Sequence, residues 1–510
     1  MLTQTVLHLF AGSGGCTLGF QRAGFRSLGS LDFDAGACRD LERLTGGPAF
    51  CSDIAAMEPA ELRGLTGGEC PDVVVMSPPC KSFSGCMPAQ RARETRYVDM
   101  SQLATRGMFL AMESWRPQRP KLVLLENVPR MQNRGAELLA QIVGLLQASG
   151  YATDQRTHDC GELGGLAQHR QRFLLVARDM AACPDFLRLP QHQRVRAIGE
   201  VLGPLPSPAS DHGDELHRLP LLSAMNWLRL AAIRAGKDWR DLPAAIGLSW
   251  DPEAHKGRPD SYGVCDWTEA SPTVRSQEKV QTSRASVADP RLGEGTVRNT
   301  RASVADPRLS CEPRTGAYGV EDFGAPSATV VGHHRHDNGP ASVADPRLDH
   351  EPRRGTLGVL DPREPAPTIR ANHGPRQAPA AVVDERGYPR PTHELDTVDG
   401  ALVLRGPAID VSDPRPCLMV IRALDGTWHR PLTDRELAVI QGFPADCYLE
   451  GPSSSSKRRV GRREHIGNAI PPPTAEAIAR ECLATLEAAA EGTWRLGGGG
   501  VWVREGRPTA

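Results

Sequence analysis

The sequence predicts an α/β fold in which a mostly parallel sheet is flanked by helices, with a smaller β-rich domain in the middle of the chain. Over residues 1–180, short apolar runs alternate with stretches of helical periodicity, as in strand–helix–strand units. From about 181 to 425 the chain is rich in Pro, Gly, Arg and Asp, and the helical pattern fades. From about 426 to 510 the helical pattern returns, which predicts a segment that completes the first domain.

Five apolar runs are the predicted strands of the first domain. They are Val6–Phe10, Ser27–Leu31, Asp72–Met76, Lys121–Leu125 and Arg172–Ala177. Nearly continuous apolar strands are typical of a parallel sheet that is covered on both faces. Because ligands bind at the carboxyl ends of such strands, we expect functional residues next to these runs.

The composition is that of a globular protein with more than one core. The chain has 510 residues, of which 40% are hydrophobic and 24% are charged. Its formal net charge of -1 excludes a uniformly basic molecule, so a nucleic-acid partner would need Lys and Arg concentrated on one face. The first residues lack a secretory signal and no run of 18 apolar residues occurs, so we expect a cytoplasmic protein without a membrane span.

The cysteines and histidines do not indicate a disulfide framework or a structural metal site. Thirteen cysteines are scattered at irregular spacings, which fits a reducing compartment. The cluster His333–Asp337 has the residue types of metal ligands, but such a cluster is more often a polar loop. We therefore expect no bound metal.

The middle region contains internal repeats. The phrase Ala-Ser-Val-Ala-Asp-Pro-Arg-Leu begins at Ala285, Ala302 and Ala341. A phrase built around Gly-Val begins at Tyr262, Tyr318 and Leu357, and Pro-Thr-Val or a near match follows each copy at Pro272, Ala328 and Pro367. These phrases predict short strands joined by turns, and their irregular spacing argues against a solenoid. Two interpretations stay open: a duplicated structural hairpin, or a repeat that makes functional contacts.

A glycine-rich turn and two acidic residues follow the first strands. Gly12 and Gly14 come after Phe10, and a strand–glycine–helix connection lets the backbone approach a ligand closely. Asp32 follows the second run, where an acid can accept hydrogen bonds from ribose hydroxyls, and Asp53 lies in a later loop. Each feature also occurs in ordinary turns and solvated surfaces, so none of them decides the matter alone.

Two further strand ends carry reactive groups. Cys80 follows Pro78 and Pro79, which stiffen the loop after the third run and favour the presentation of a nucleophile. Glu126 directly follows the fourth run, where a buried carboxylate needs a partner. The alternative for Cys80 is a buried structural cysteine, which is the more common fate of this residue type.

A row of polar residues precedes the fifth run. If the chain is extended there, Gln168, Arg170 and Arg172 point to the same side. Such a row suits contacts with phosphates or bases, but it also fits a solvated strand edge.

Together these segments resemble the DNA cytosine-5 methyltransferase family, of the prokaryotic or phage type with a long target-recognition region. The motifs occur in the family's order: Phe10-x-Gly12-x-Gly14-Gly15, Pro78-Pro79-Cys80, Glu126-Asn127-Val128, Gln168-x-Arg170-x-Arg172, Gln441-Gly442-Phe443-Pro444 and Gly467-Asn468. The resemblance covers about residues 1–180 and 430–480. It implies the fold of class I S-adenosylmethionine-dependent methyltransferases. Residues 1–180 would form the catalytic and cofactor-binding domain, residues 181–425 the target-recognition domain, and residues 426–510 would return to the catalytic domain.

The resemblance implies that S-adenosyl-L-methionine is the methyl donor. It assigns the cofactor pocket to Phe10, Gly12, Gly14, Asp32, Asp53, Ile54, Pro79, Leu103 and Asn468. Within that set Asp32 would hold the ribose, and Asp53 and Ile54 would contact the adenine.

The resemblance also implies the chemistry. The Cys80 thiolate would attack carbon 6 of cytosine, which makes carbon 5 nucleophilic, and Glu126 would protonate ring nitrogen 3. Glu126 should therefore have a raised pKa. Arg170 would hold the base, with Arg172 beside it. Base flipping is expected, because a stacked base cannot reach such a pocket.

Double-stranded DNA is the implied partner, with a cognate restriction endonuclease as an optional second protein. The residues assigned to DNA contact are Ser82, Gln168, Arg435, Lys457, Arg458 and Arg459. The last three begin a basic run that looks like a mobile loop beside the cleft, although a solvated surface run has the same composition. We expect a monomer that is associated with the nucleoid in the cytoplasm.

Three positions depart from the family pattern, and three rival functions stay open. Ala167 stands where the family often has Pro. Lys81 stands where the family has Gln, and Ser77 stands where it has Gly. The rivals are a tRNA cytosine-5 methyltransferase, a DNA-binding homologue without activity, and a scaffold built on the repeats. The long recognition region argues against the first rival, and the intact motif residues argue against the second.

Overall fold

The chain forms two compact units. The first unit consists of Met1–Leu202, Ala270–Gln277 and Asp434–Ala510, and the second consists of Gly203–Glu269 and Glu278–Thr433. The computed structural model describes residues 3–79, 95–183, 190–209, 213–235, 263–274, 286–292, 391–398, 401–407, 415–451 and 458–492, with short pieces at 320–321, 342–343, 389 and 409.

Strands and helices alternate in the first unit, whereas strands predominate in the second. The strands are β1 (Thr5–Leu9), β2 (Arg26–Asp32), β3 (Ala49–Cys51), β4 (Val73–Met76), β5 (Leu122–Asn127), β6 (Tyr151–Asp159), β7 (Gln171–Asp179), β8 (Val264–Cys265), β9 (Ser286–Asp289), β10 (Val320–Glu321), β11 (Ser342–Val343), β12 (His393–Val398), β13 (Ala401–Arg405), β14 (Ile421–Arg422) and β15 (Trp428–Pro431). The helices are α1 (Gly15–Arg22), α2 (Ala35–Thr45), α3 (Pro59–Leu65), α4 (Thr95–Glu113), α5 (Met131–Arg134), α6 (Ala136–Ala148), α7 (Cys160–Gly164), α8 (Ile198–Leu202), α9 (Ala224–Ala232), α10 (Asp434–Ile440), α11 (Arg458–Asn468) and α12 (Pro472–Glu491). Among the helices within the described ranges, none combines the length and the apolar composition that a bilayer crossing needs.

A seven-stranded sheet forms the centre of the first unit, with the strand order β3-β2-β1-β4-β5-β7-β6. Strands β1 to β5 are parallel, and β7 runs antiparallel to both β5 and β6. The chain passes from β1 to β2 on one side and later returns to β4 on the other, so the strand order reverses between β1 and β4. Sheets of this kind bind ligands beside such a reversal.

Buried apolar side chains cover both faces of this sheet. Successive residues of β1, β4 and β5 contribute alternately to two separate clusters, as the two-residue period of a strand requires. One cluster includes α4 and α6, and the other includes α1 and α12. Helix α12 lies so close to α1 that a Cβ added at Gly19 would be 2.6 Å from the Pro472 carbonyl oxygen. The C-terminal segment is therefore part of the core of the first unit.

The first sheet has two strands that the apolar pattern did not predict. β3 is three residues long and partly accessible, and β6 is polar at every position from Thr153 to Asp159. Both lie at the edges of the sheet. Edge strands have one neighbour and stay partly hydrated, so they need few apolar residues.

The second unit contains a six-stranded sheet with the order β13-β12-β14-β15-β9-β8. Its core includes Trp227 of α9 and Trp428 of β15, whose rings stack with centroids 6.2 Å apart. Buried Asp289 forms ion pairs with Arg291 and with Arg430, which are also buried. Asp289 and Arg291 belong to the first Ala-Ser-Val-Ala-Asp-Pro-Arg-Leu phrase, so this phrase supplies a strand and a buried ion pair.

Two copies of the repeat form strand pairs in the same register. β8 and β9 run parallel with Val264 opposite Ser286, and β10 and β11 run parallel with Val320 opposite Ser342. The two valines hold equivalent places in the Gly-Val phrase, and the two serines hold equivalent places in the longer phrase. The repeat is therefore a recurring structural unit. The copies that begin at Ala302 and Leu357 lie outside the described residues.

Candidate active site

The carboxyl ends of β1, β2, β4 and β5 lie along one edge of the sheet, because these strands are parallel neighbours. Phe10 follows β1, Phe33 follows β2, Ser77 follows β4, and Glu126 and Asn127 are the last residues of β5. This edge brings together residues from motifs that are far apart in the sequence.

The turn after β1 has an unusual backbone conformation. Phe10 has a φ of 57°, in the left-handed region that few residues other than glycine adopt, and Gly14 has a φ of 86°. The Phe10 ring packs against α4, where a Cβ added at Gly107 would lie 3.0 Å from it. A Cβ added at Gly12 would meet no described atom within 4 Å, so the described residues leave space beside the turn. A fixed turn with free space beside its backbone suits the close approach of a ligand.

Asp32, at the end of β2, is held by the same turn. Its Oδ2 accepts a hydrogen bond from the Gly12 backbone N–H (2.8 Å), and its Oδ1 accepts one from the Asp34 backbone N–H (3.0 Å). Burial raises the pKa of the Asp32 carboxyl above its usual range. Each carboxyl oxygen keeps a second lone pair, which suits hydrogen bonds from ribose hydroxyls.

Phe33 is a candidate binding residue that sequence reasoning missed. Its ring is 75% exposed, and it is the most exposed large apolar side chain in the described part of the chain. An exposed aromatic ring directly after the acid that is predicted to hold the ribose suits stacking on a flat heterocycle. The signal in the sequence was an aromatic residue between Asp32 and Asp34 at a strand end.

The remaining predicted cofactor residues differ in accessibility. Asp53 is exposed and accepts a hydrogen bond from the Ala55 N–H (2.9 Å), whereas Ile54 is buried in one of the core clusters. Leu103 is half-buried on α4, and Asn468 is exposed at the end of α11. Together with Asp32, Phe33 and the open space at Gly12, these side chains fit an adenosine-containing cofactor.

Glu126 at the end of β5 pairs with Arg172 of β7. The Arg172 Nε lies 3.0 Å from the Glu126 Oε1, and the two side chains are 16% and 15% exposed. Burial raises the pKa of the Glu126 carboxyl, although the positive charges of Arg172 and Arg170 act in the opposite direction. A carboxyl with a raised pKa keeps its proton closer to neutral pH, so it can act as an acid toward a substrate.

Asn127 ties the loop after β4 to β5, and sequence reasoning assigned it no role of its own. Its Nδ2 donates a hydrogen bond to the Pro78 carbonyl oxygen (3.2 Å), and the Ser77 N–H donates to the Leu9 carbonyl oxygen (3.2 Å). The loop continues through the half-buried Pro79. The predicted nucleophile Cys80, with Lys81 and Ser82, follows directly and lies outside the described residues.

Arg170 makes contacts that the motif did not predict. Its guanidinium is buried and donates hydrogen bonds to the carbonyl oxygens of Val274 (3.0 Å), Gly467 (2.8 Å) and Ala469 (3.2 Å). The acceptors belong to two segments that are distant in sequence. Arg170 therefore joins these segments to the sheet, whereas Arg172 is the arginine that contacts Glu126.

Gln168 and Arg435 are buried and bond to neighbouring groups of the first unit, and their contact with DNA stays a prediction. The Gln168 Nε2 donates to the Gln441 Oε1 (2.7 Å), and the Gln441 Nε2 donates in turn to the Ala469 carbonyl oxygen (2.7 Å). Arg435 donates to the Cys447 carbonyl oxygen. Buried carbonyl groups need donors, and these side chains supply them inside the first unit.

A segment of the repeat region lies against the same motif. The Ser271 carbonyl oxygen accepts a hydrogen bond from the His169 N–H (2.9 Å), the Val274 N–H donates to the Gln168 Oε1 (3.1 Å), and the Thr273 Oγ1 donates to the His169 carbonyl oxygen (2.9 Å). Thr273 and Val274 belong to the first Pro-Thr-Val phrase. The recurrence of that phrase was the only feature of the sequence that pointed to a structural role for these residues. The equivalent phrases at 328 and 367 lie outside the described residues.

The basic run is helical where the structure describes it, which corrects the expectation of a mobile loop. Arg458 begins α11, and the Arg463 Nε lies 2.8 Å from the Asp434 Oδ1 in a buried ion pair. This tertiary contact stabilises a helix that the charge pattern alone does not indicate. Lys457 and the side chains of Arg458 and Arg459 lie outside the described part, so their contact with DNA stays a prediction.

The fold and the site together define an α/β methyltransferase whose first unit is discontinuous in the chain. The chain belongs to the C-5 cytosine-specific DNA methylase family, whose sequence model matches residues 4–201 and 405–484, more than half of the chain. The matched segments carry every motif described above and flank the repeats. The family predicted from those motifs is thereby confirmed.

Two curated relatives are Type II enzymes of bacteria. The chain is 26% identical to the Type II methylase M.HgiDII of Herpetosiphon aurantiacus over 278 residues, which are 53% of this chain and 75% of that relative. It is 33% identical to the Type II methyltransferase M.AgeI of Thalassovita gelatinovora over 210 residues, which are 39% of this chain and 45% of that relative. The second alignment thus spans less than half of the relative's length.

The fold also matches a solved structure. A DNA modification methyltransferase encoded within a prophage of E. coli superposes with a TM-score of 0.51 and 14% sequence identity, over 95% of this chain and 100% of that chain. The predicted α/β methyltransferase fold is thereby confirmed.

Proposed function

We propose that this chain transfers a methyl group from S-adenosyl-L-methionine to carbon 5 of cytosine in a specific double-stranded DNA sequence, through a covalent adduct of Cys80 with a flipped base. The observation that carries the proposal is the half-buried Glu126–Arg172 pair, beside the loop that leads into Cys80. Membership of the C-5 cytosine-specific DNA methylase family supports the choice of cytosine and of DNA.

The cofactor is proposed to bind at the ends of β1 and β2. Asp32 would accept hydrogen bonds from the ribose, Phe33 would stack on the adenine, and the turn at Gly12 would lie against the ligand. The predicted contacts of Asp53, Ile54, Pro79, Leu103 and Asn468 complete this pocket. When bound, S-adenosylmethionine supplies an electrophilic methyl group.

The nucleophile and the acid have separate tasks in the proposed reaction. The Cys80 thiolate attacks carbon 6 of the cytosine ring while Glu126 donates a proton to ring nitrogen 3, so that carbon 5 becomes nucleophilic. After methylation, carbon 5 loses its proton to a base and the bond between Cys80 and carbon 6 breaks. Glu126 recovers its proton from nitrogen 3, and the aromatic ring is restored.

The two arginines of the motif have different proposed roles. Arg172 orients the Glu126 carboxyl and supplies positive charge beside the base. Arg170 acts through its three carbonyl acceptors, which hold the C-terminal segment in place. We therefore assign the contact with the base to Arg172 and a positioning role to Arg170.

Target recognition is proposed for residues 181–425, and catalysis for residues 1–180 together with 426–510. Ser82, Lys457, Arg458 and Arg459 are the proposed phosphate contacts, because positive and hydroxyl groups beside a cleft bind the DNA backbone. A DNA substrate implies that the protein works at the nucleoid, in the cytoplasm. A monomeric state and a cognate restriction endonuclease stay predictions.

Transfer of a labelled methyl group tests the proposal. The purified chain is incubated with methyl-labelled S-adenosylmethionine and with either plasmid DNA or bulk tRNA. We expect 5-methylcytosine in the DNA, and none when Cys80→Ser replaces the wild type. Label in tRNA alone would replace the DNA assignment with the tRNA alternative. No label in either substrate, despite cofactor binding, would indicate a DNA-binding homologue without activity.

A further inference from the structure

A buried aspartate–histidine pair joins α2 to α11. The Asp40 side chain is fully buried, the His465 side chain is 8% exposed, and the His465 Nδ1 lies 2.7 Å from the Asp40 Oδ2. Neither residue belongs to the motifs described above, and the proposed reaction uses neither. A buried pair of this kind needs a reason, because removing two polar groups from water is costly unless both are well bonded.

Asp40 has a full set of hydrogen-bond donors. Besides His465, it accepts hydrogen bonds from the Glu450 N–H (2.7 Å) and the Gly451 N–H (3.2 Å), and the Arg43 guanidinium is 3.3 Å away. A carboxylate with this many donors has a fixed position. Asp40 therefore holds His465, and the chain that precedes α11, against α2.

The pair is connected to the proposed ribose-binding acid. The His465 Nε2 lies 3.9 Å from the Asp34 Oδ1, and the Asp34 N–H donates to the Asp32 Oδ1 (3.0 Å). The Asp34 Oδ1 also accepts a hydrogen bond from the Ala37 N–H (2.9 Å), which caps the first turn of α2. A single residue, Asp34, therefore links the His465 side chain to the Asp32 carboxyl.

The backbone around His465 also contacts the glycine-rich turn. The Ser13 Oγ donates a hydrogen bond to the His465 carbonyl oxygen (3.4 Å). The Ile470 carbonyl oxygen lies so close to Gly15 that an added Cβ would be 2.4 Å from it. The end of α11, which also carries Asn468, therefore touches the turn on one side while its His465 side chain reaches the Asp34 carboxyl on the other.

We propose that Asp40 and His465 are positioning residues for the cofactor. Their pair fixes α11 against α2, so that Asp32, the glycine-rich turn and Asn468 face the ligand in one arrangement. This inference rests on the proposed function, because it takes an adenosine-containing cofactor as the ligand of that edge. A pair that served only the stability of the fold would change the melting temperature and leave the cofactor affinity as it was.

Calorimetric titration of the full-length apoprotein with S-adenosylhomocysteine, together with thermal unfolding of the same samples, tests the proposal. His465→Leu removes both ring nitrogens and is expected to weaken binding by about tenfold or more, as the loss of a buried charge-assisted hydrogen bond does. His465→Asn places an amide nitrogen near the position of Nδ1 and is expected to recover most of the affinity. Asp40→Asn keeps the shape of the side chain and is expected to weaken binding as well.

His429→Leu is the matched control. His429 is also buried, and its Nε2 lies 2.9 Å from the Oδ2 of the partly exposed Asp425 in the second unit. We expect this variant to lower the melting temperature without a change in cofactor affinity.

The outcomes separate this inference from the proposed function. Dissociation constants of Asp40→Asn and His465→Leu within about twofold of the wild type would overturn the inference, whatever happens to the melting temperature. If His465→Leu does not fold, Asp40→Asn decides. A wild type that binds no S-adenosylhomocysteine would overturn the proposed function instead.

Discussion

At the scale of single residues, Glu126 and Arg172 show how a neighbouring charge changes the pKa of a largely buried acid. Burial raises the pKa of the Glu126 carboxyl, and the Arg172 guanidinium, 3.0 Å away, opposes that rise. The proposed reaction uses the protonated carboxyl as the acid. Activity should therefore be present below the pKa of Glu126 and should fall as the pH rises through it.

The substitution Arg172→Gln tests this relation. It removes a positive charge that favours the carboxylate, so the pKa of Glu126 should rise further. We expect the descending limb of the pH profile of kcat to move to higher pH, and the maximal rate to fall because no guanidinium orients the carboxyl. Steady-state methyl transfer across the pH range measures both effects.

Arg156→Gln is the control for that experiment. Arg156 forms an ion pair with Asp154 (2.7 Å) and is 42% exposed, so water and salt screen its charge and its removal should leave the limb in place. A limb that stays in place in Arg172→Gln as well would mean that Glu126 is not the group that titrates.

Arg170 and Arg172 lie two positions apart, but their surroundings predict different effects of substitution. Arg170→Met would leave three buried carbonyl oxygens without this donor, so we expect the free energy of unfolding to fall by about 2–4 kcal/mol. Arg172→Met should lower stability less but lower the rate of methyl transfer more. Urea denaturation and the transfer assay measure the two quantities, and equal losses of stability would contradict the division of roles.

The candidate site residues could be named from the sequence, but the groups that they contact in the structure could not. Gln168 and Arg170 are both buried, as two residues on the same side of an extended chain can be. Their acceptors, at Gln441 and at Val274, Gly467 and Ala469, come from segments that no local pattern connects with them.

At the scale of elements, α11 shows that tertiary contacts decide whether a charged run forms a packed helix or a solvated loop. Arg458 to Arg463 read as a solvated loop, because charge favours water. The ion pair of Arg463 with Asp434 and the hydrogen bond from Arg462 to the Leu449 carbonyl oxygen (3.0 Å) bury the second half of the run instead. The first half stays a candidate for phosphate contact.

Neutral substitutions separate the two halves of this run. The triple variant Lys457→Gln, Arg458→Gln, Arg459→Gln should weaken DNA binding and reduce the salt dependence of log K, by about 0.9 for each phosphate that the variant no longer neutralises. Fluorescence anisotropy at several salt concentrations measures that slope. The matched variant Arg462→Gln, Arg463→Gln should mainly lower stability. An unchanged slope in the triple variant would exclude a role in DNA contact.

At the scale of the whole molecule, the first unit is assembled from three parts of the chain. The return of the C-terminal segment was predicted for residues 426–510 through the resemblance to the family, and the first unit includes it from Asp434. The inclusion of residues 270–277 was not predicted, because a Pro-Thr-Val phrase that pairs with residues 168–170 has no local signal of its partner. The apolar runs predicted the central strands well, since buried parallel strands are apolar throughout, and they missed the hydrated edge strands β3 and β6.

The most direct test of the central proposal is bisulfite sequencing of plasmid DNA from cells that express the wild type or Cys80→Ser. We predict 5-methylcytosine in one short sequence motif with the wild type and none with the variant, which would establish the reaction, the nucleophile and the target together. Unmethylated DNA from cells that contain the folded wild type, or methylation that persists in Cys80→Ser, would contradict the account.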